Sequence, residues 1–181
     1  MKRKRGYLSG KRGQIWVETV IYTLIAFSVM GLVLAFVLPK IQETQDKGVI
    51  DQSISSLQTI DSTITTIGDP GNVRVLNLNI KQGDMTIDPM NDRIYFTLDS
   101  RYQYSEPGNV VSVGKVDADT EKKGDRYTVT LTLNYAGEYN VTYDSSQNIK
   151  DLSSSSIPYK VSISNDGKDS QGNTLVNIQV S

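Results

Sequence analysis

Hydrophobic positions follow two different rules along this chain. From Thr19 to Leu38 they are nearly continuous, 20 residues without a charge. At about 1.5 Å of rise per helical residue the run reaches roughly 30 Å, the thickness of a bilayer's hydrocarbon core, so it predicts a membrane-spanning helix. Past it, Ile50, Ile54, Leu57, Ile60, Ile64 and Ile67 recur at intervals of three and four, which marks one apolar face on an otherwise polar helix. Residues 14–67 are therefore read as one long helix, membrane-spanning over 19–38 and amphipathic over 40–67. Pro39 removes a helical hydrogen bond and Gly48 adds backbone entropy, so a kink or frayed stretch is expected between them. Gly31 lies within the apolar run, where it can let another helix approach closely.

Gly68-Asp69-Pro70-Gly71-Asn72 ends the helix by combining a C-terminal glycine, a proline and turn formers. Beyond it the period changes from near 3.6 to 2. Ile94, Phe96 and Leu98 alternate with polar positions, as do Tyr127, Val129, Leu131, Leu133 and Tyr135, and then Tyr159, Val161 and Ile163. Val73 to Ile80 and Val176 to Val180 read the same way. The fold class expected is α+β, a long N-terminal transmembrane and assembly helix followed by an antiparallel β-sandwich head over 69–181. Within 127–143, a three-residue loop Ala136-Gly137-Glu138 would pair Tyr135 with Tyr139, Leu133 with Val141 and Leu131 with Tyr143. That hairpin puts Thr128, Thr130, Thr132, Asn134, Asn140 and Thr142 on one polar face.

Composition removes several chemistries. The chain has neither cysteine nor histidine, which excludes a disulfide framework, a thiolate nucleophile, an imidazole base and a Cys/His zinc site. Its formal net charge of −1 conceals an asymmetry, because six basic residues and no acid lie in the first 13 positions. Taking those six from the 19 basic residues leaves 13 against 20 acidic ones, a net −7 for the rest. So acidic a chain argues against nucleic-acid binding, which needs basic patches to neutralise phosphates.

The six basic residues, Lys2, Arg3, Lys4, Arg5, Lys11 and Arg12, place the N-terminus in the cytoplasm by the positive-inside rule, and the C-terminal part outside. A secretory signal has a shorter apolar region and a small-x-small cleavage site behind it, and Pro39-Lys40-Ile41-Gln42-Glu43 supplies none. Glu18 stands at the edge of the spanning run, where a carboxylate is costly enough to need a partner or a function. Lys11-Arg12-Gly13-Gln14, with Glu18 the fifth residue after the glycine and an apolar helix starting there, resembles the class III signal peptide of archaeal type IV pilins and archaellins. The resemblance covers about residues 1–67. It implies that 1–13 is a leader, cut by a membrane prepilin peptidase between Gly13 and Gln14. It implies further that Glu18 neutralises the free amine of a neighbouring subunit in a filament, and that an assembly ATPase and a platform membrane protein are partners.

Asn140-Val141-Thr142 is the one Asn-x-Ser/Thr sequence, a candidate N-glycosylation acceptor on the expected polar face. Asp117-Ala118-Asp119 and Asp166-Gly167-Lys168-Asp169 read as polar loops without the spacing of a calcium-binding EF-hand, and Ser153 to Ser156 as a flexible connection. No phosphate loop, nucleophile elbow or metalloprotease motif occurs, and no cofactor or metal is expected. The reading is a self-assembling filament subunit, not an enzyme, passing from the cytoplasmic membrane to the cell surface. The alternative is a non-polymerising, single-pass surface protein with a β-sandwich binding head.

Overall fold

The computed structural model describes the backbone from Lys11 to Ser181 and the side chains from Trp16 onward. The first ten residues of the expected leader therefore lie outside the described residues. One helix, α1 (Lys11–Thr65), precedes ten strands. The chain divides into two compact units, residues 1–42 and 43–181.

Helix α1 starts three residues ahead of the expected position 14 and ends two before the expected 67. Helical backbone continues through Pro39, which can donate no bond to the preceding turn, and through Gly48, so no frayed stretch separates them. Every described side chain from Trp16 to Gln42 is exposed. In the second unit the same helix has an inside. Ile50, Leu57 and Ile64 are fully buried, and Ile54, Ile60 and Ile67 nearly so, the six positions that the three-four spacing singles out.

The helix stops where the turn chemistry is densest. Gly68 takes a left-handed φ of 77°, and two asparagine side chains then serve the carbonyls left open at the C-terminus. Asn72 Nδ2 donates to Ile67 O at 2.9 Å, and Asn165 Nδ2 donates to Gly68 O at 2.6 Å. Asn165 is nearly a hundred residues away in sequence, so this end of the helix closes only when the head has folded.

The strands are β1 (Val73–Leu78), β2 (Asp84–Asp88), β3 (Arg93–Ser100), β4 (Val111–Val113), β5 (Val116–Lys123), β6 (Arg126–Asn134), β7 (Tyr139–Tyr143), β8 (Lys150–Ser153), β9 (Tyr159–Lys168) and β10 (Thr174–Val180). They form two sheets, one of four strands in the order β1-β9-β10-β7 and one of six in the order β4-β5-β6-β3-β2-β8. All pairs are antiparallel except β10 with β7, which is parallel. Both sheets and the second half of α1 contribute to one apolar cluster, for example Leu57, Phe96, Leu131, Ile163 and Val176. The fold is α+β.

The hairpin expected over 127–143 does not form. Strand β6 is flanked on both sides, with Leu133 opposite Ile94 of β3 and opposite Val116 of β5, so it has no free edge for β7. The chain instead turns at Gly137 (φ 80°) and crosses to the other sheet, where Val141 lies beside Val176. Tyr135 marks the crossing, since its N–H goes to Asp92 O at 2.8 Å while its carbonyl accepts from Tyr139 N at 3.0 Å. The shared polar face is lost with the hairpin, and Thr142 is buried.

Four strands carry no clear alternation in the sequence: β2, β4, β5 and β8. Asp117 and Asp119 are not in a loop but on β5, whose other face buries Val116, Ala118 and Thr120. Asp166 likewise lies on β9, which continues to Lys168, leaving a shorter loop than expected. Between β2 and β3, buried Asp88 accepts from Asn91 Nδ2 and Arg93 Nε, both at 2.8 Å. Burial pushes the Asp88 carboxyl up, but these hydrogen bonds and the Arg93 charge outweigh it and hold it below the usual range.

Candidate membrane and assembly segment

The candidate segment is the first half of α1. Among the described residues it is the one helix long and apolar enough to cross a membrane. Trp16, Tyr22, Phe27 and Phe36 are each 66% exposed or more, so aromatic surface of this size has no cover within its own unit. Its two aliphatic hydroxyl groups beyond Thr19 are already satisfied. Thr23 Oγ1 donates to Thr19 O and Ser28 Oγ to Leu24 O, both at 2.8 Å, so neither of these two hydroxyl hydrogens is left unmet in an apolar surround. No heavy atom approaches within 4 Å of where a Cβ on Gly31 would stand, so that position leaves a shallow notch in the helix surface.

Lys11, Arg12, Gly13 and Gln14 form the first turn of α1, and their side chains lie outside the described residues. Glu18 follows one turn later and is exposed. The four residues of the expected cleavage motif and the acidic residue are thus on one continuous helix.

Asn140 stands apart from this segment, on β7. It is half-buried, and its Nδ2 donates to Asp169 Oδ2 at 3.2 Å. That hydrogen bond, partly offset by burial and supported by N–H groups of Asn173, Gln171 and Gly172, holds the Asp169 carboxyl below its usual range. The Thr142 hydroxyl of the same acceptor sequence is buried against Val176 O at 3.4 Å and Asn177 Oδ1 at 3.3 Å. Modification of Asn140 in the folded head would have to break this network.

The head contains two polar anchors that the sequence does not reveal. Asp46 on α1 is buried and accepts from Arg101 N at 2.6 Å and Gln82 Nε2 at 3.4 Å. Asp61, also on α1, accepts from the Tyr135 hydroxyl at 3.2 Å. An acidic residue at the boundary of an amphipathic face carries no mark that says which distant group it will meet. The enclosed void among Ile60, Met85, Ile94, Leu152, Ile163 and their neighbours is about 10 Å³ and apolar. That is room for little more than one water, far below the few hundred Å³ of a small-molecule site. Among the described residues no three Asp or Glu side chains gather as metal ligands.

No family model, curated protein or solved structure matches the chain.

Proposed function

We propose that this protein is a structural subunit of a type IV pilus-like surface filament, cut between Gly13 and Gln14 and assembled through the apolar half of its helix. One observation carries the reading: a basic leader, a glycine, an acidic residue five positions on and a 20-residue uncharged run stand in that order along the chain. The apolar run is exposed throughout, whereas the head buries the apolar face of its own helical stretch. A segment of this kind is stable in lipid, or packed among copies of itself, and in each setting the exposed aromatic and aliphatic surface leaves water. The head, a β-sandwich closed over the helix's second half, would form the filament's surface. The protein works by assembly, without turnover.

Glu18 pairs with the α-amine that the cut exposes on Gln14 of a neighbouring copy. A lone carboxylate in a helix-lined apolar core is costly, and an adjacent ammonium offsets that cost. Glu18→Ala is therefore expected to be processed normally yet to reduce filament yield severely. Electron microscopy of sheared surface fractions, with an immunoblot for processed subunit, reads both effects, and filaments at normal abundance would remove this role for Glu18.

The decisive experiment is N-terminal sequencing of the surface form. A start at Gln14 in purified filaments supports the proposal. An intact Met1 to Gly13 on a membrane-bound form, with no filament containing the chain, supports a non-polymerising anchored surface protein instead.

A further inference from the structure

Each sheet has two edges, and the chain treats the four edges differently. At one edge of the four-stranded sheet, β7 turns the N–H groups of Tyr139, Val141 and Tyr143 away from β10. All three are taken, by Tyr135 O at 3.0 Å, Asp92 Oδ1 at 2.8 Å and Ser146 O at 2.9 Å. In the six-stranded sheet, β4 is three residues long and the Val113 carbonyl accepts from Gln58 Nε2 at 3.3 Å. At the other edge, β8 is four residues long, carries Lys150 and Asp151, and has its Ser153 carbonyl bonded by the Tyr159 hydroxyl at 2.9 Å. Short length, charge and side-chain caps are the ordinary ways of blunting an edge.

Strand β1 is longer and its outward backbone groups carry no side-chain cap over its first five residues; its single charge, Arg74, donates to Thr66 O at 3.3 Å. It is six residues long and pairs on one side with β9. Asn165 N donates to Asn72 O, while Lys160 and Ser181 exchange two hydrogen bonds between β9 and β10. The alternation of an antiparallel ladder then makes residues 72, 74, 76 and 78 bond β9, so Val73, Val75 and Asn77 turn their N–H and C=O groups outward. No described group bonds them there. Val73 and Val75 are also 58% and 64% exposed, and Asn77 is exposed.

We propose that this edge is a strand-pairing interface for a second copy of the chain, β1 against β1, antiparallel about Val75. The sequence of the strand fits its own reverse. In that register Val75 faces Val75 of the second copy and Val73 faces Asn77, each pair exchanging two N–H···O bonds. Arg74, the strand's one charge, comes opposite Leu76, so no like charges meet. A helix able to hold copies in one membrane raises their effective concentration and favours a second copy over a foreign strand. Two four-stranded sheets become one of eight. Such a two-fold contact closes on itself and cannot propagate a filament, so it is distinct from helix assembly and holds for either functional reading.

Because the chain lacks cysteine, disulfide trapping is clean. In the register proposed the two Val75 Cα atoms stand about 5.5 Å apart, inside the range a disulfide spans. Full-length Val75→Cys protein in native membranes, mildly oxidised, is expected to form a covalent dimer roughly tenfold faster than Val111→Cys, an exposed position on β4. Co-expressed Val73→Cys and Asn77→Cys chains are expected to give mainly the mixed dimer. Val75→Pro removes an outward N–H that β9 does not use, so the head tolerates it, and in that background the mixed dimer should be lost. Val75→Cys cross-linking no faster than Val111→Cys, or a mixed dimer that survives Val75→Pro, overturns the interface. Processing at Gly13 is scored on the same blots, so failure here is separate from failure of the filament reading.

Discussion

A Gly13→Leu chain is expected to accumulate as uncut precursor and to yield no filaments, the largest loss of function expected from a single substitution. The reason is electrostatic as much as enzymatic. In the proposed topology an uncut leader would keep six lysine and arginine side chains covalently joined to the apolar helix, on the cytoplasmic side. Drawing such charges into a bilayer's interior costs about 2.5 to 3.5 kcal/mol for each residue, so the helix cannot leave the membrane outward with its leader attached. Under the proposed assembly the missing cut would also deny Glu18 the new α-amine at Gln14, a second and independent loss. An immunoblot resolves precursor from product, and electron microscopy counts filaments. Gly6→Leu, a change farther up the leader, should remain processed. Normal processing of Gly13→Leu would disprove the cleavage site and, with it, the resemblance on which the proposed function rests.

Tyr135→Ala should give the largest loss of stability in the head, about 3 to 5 kcal/mol, the cost of deleting a fully buried aromatic ring. The side chain is 0% exposed and joins three elements. Its hydroxyl reaches Asp61 on α1, its ring meets Tyr139 edge-on at 5.7 Å, and Lys115 Nζ lies 4.8 Å from its centroid while pairing with Glu138. In a chain of this length the midpoint of thermal unfolding should fall by roughly 6 to 20 °C, measured on the full protein in detergent. Tyr135→Phe keeps the ring and loses about 1 kcal/mol, because half-buried Asp61 can turn to water. The pair of variants thus separates packing from the hydrogen bond, and equal losses would mean the ring's packing is unimportant.

Tyr135 also predicts an alkaline limit. Burial first, and then the nearby Asp61 charge and its hydrogen bond, push the phenol well above its ordinary 10.0. The unfolded chain gives up this proton at about pH 10 while the folded chain retains it. The stability contributed is therefore complete below pH 10 and falls as pH rises above it. Tyr135→Phe should flatten that fall in a denaturant series between pH 9 and 11, and an unchanged slope would assign the alkaline loss to other groups.

The residues that can be read directly are those whose role depends on near neighbours. The helical face from Ile50 to Ile64 follows from a three-four spacing and is buried as that spacing requires, and Ile67, just past the helix's end, is buried with it. The alternation in 94–98, 127–135 and 159–163 returns in β3, β6 and β9 with Ile94, Phe96, Leu98, Val129, Leu131, Leu133, Val161 and Ile163 buried, while Tyr127 is only half-buried and the buried Tyr135 lies just past β6. The turn run 68–72 does end the helix, through a left-handed glycine and an asparagine cap. Strands such as β5 are harder to see because Asp117, Asp119 and Glu121 alternate with one small and one polar buried residue, Ala118 and Thr120, leaving little hydrophobic contrast.

Local pattern, then, was enough to set the apolar rod, the place where the helix ends, the α+β class and most of the residues that turn inward, since period and turn chemistry act within a few positions; the compact units, by contrast, divide at 42/43, inside the helix, and not at the turn run 68–72. Which strands become neighbours was decided only in three dimensions. Leu133 and Val141 carry matching periodicity, yet they belong to different sheets, because β3 and β5 already occupy both sides of β6. The buried carboxylate of Asp46, the Asp61 bond to Tyr135 and the helix cap from Asn165 are likewise products of the tertiary fold, as each joins groups dozens of residues apart. Alternation fixes the face of a side chain, whereas pairing depends on which edge is still free when the strand arrives.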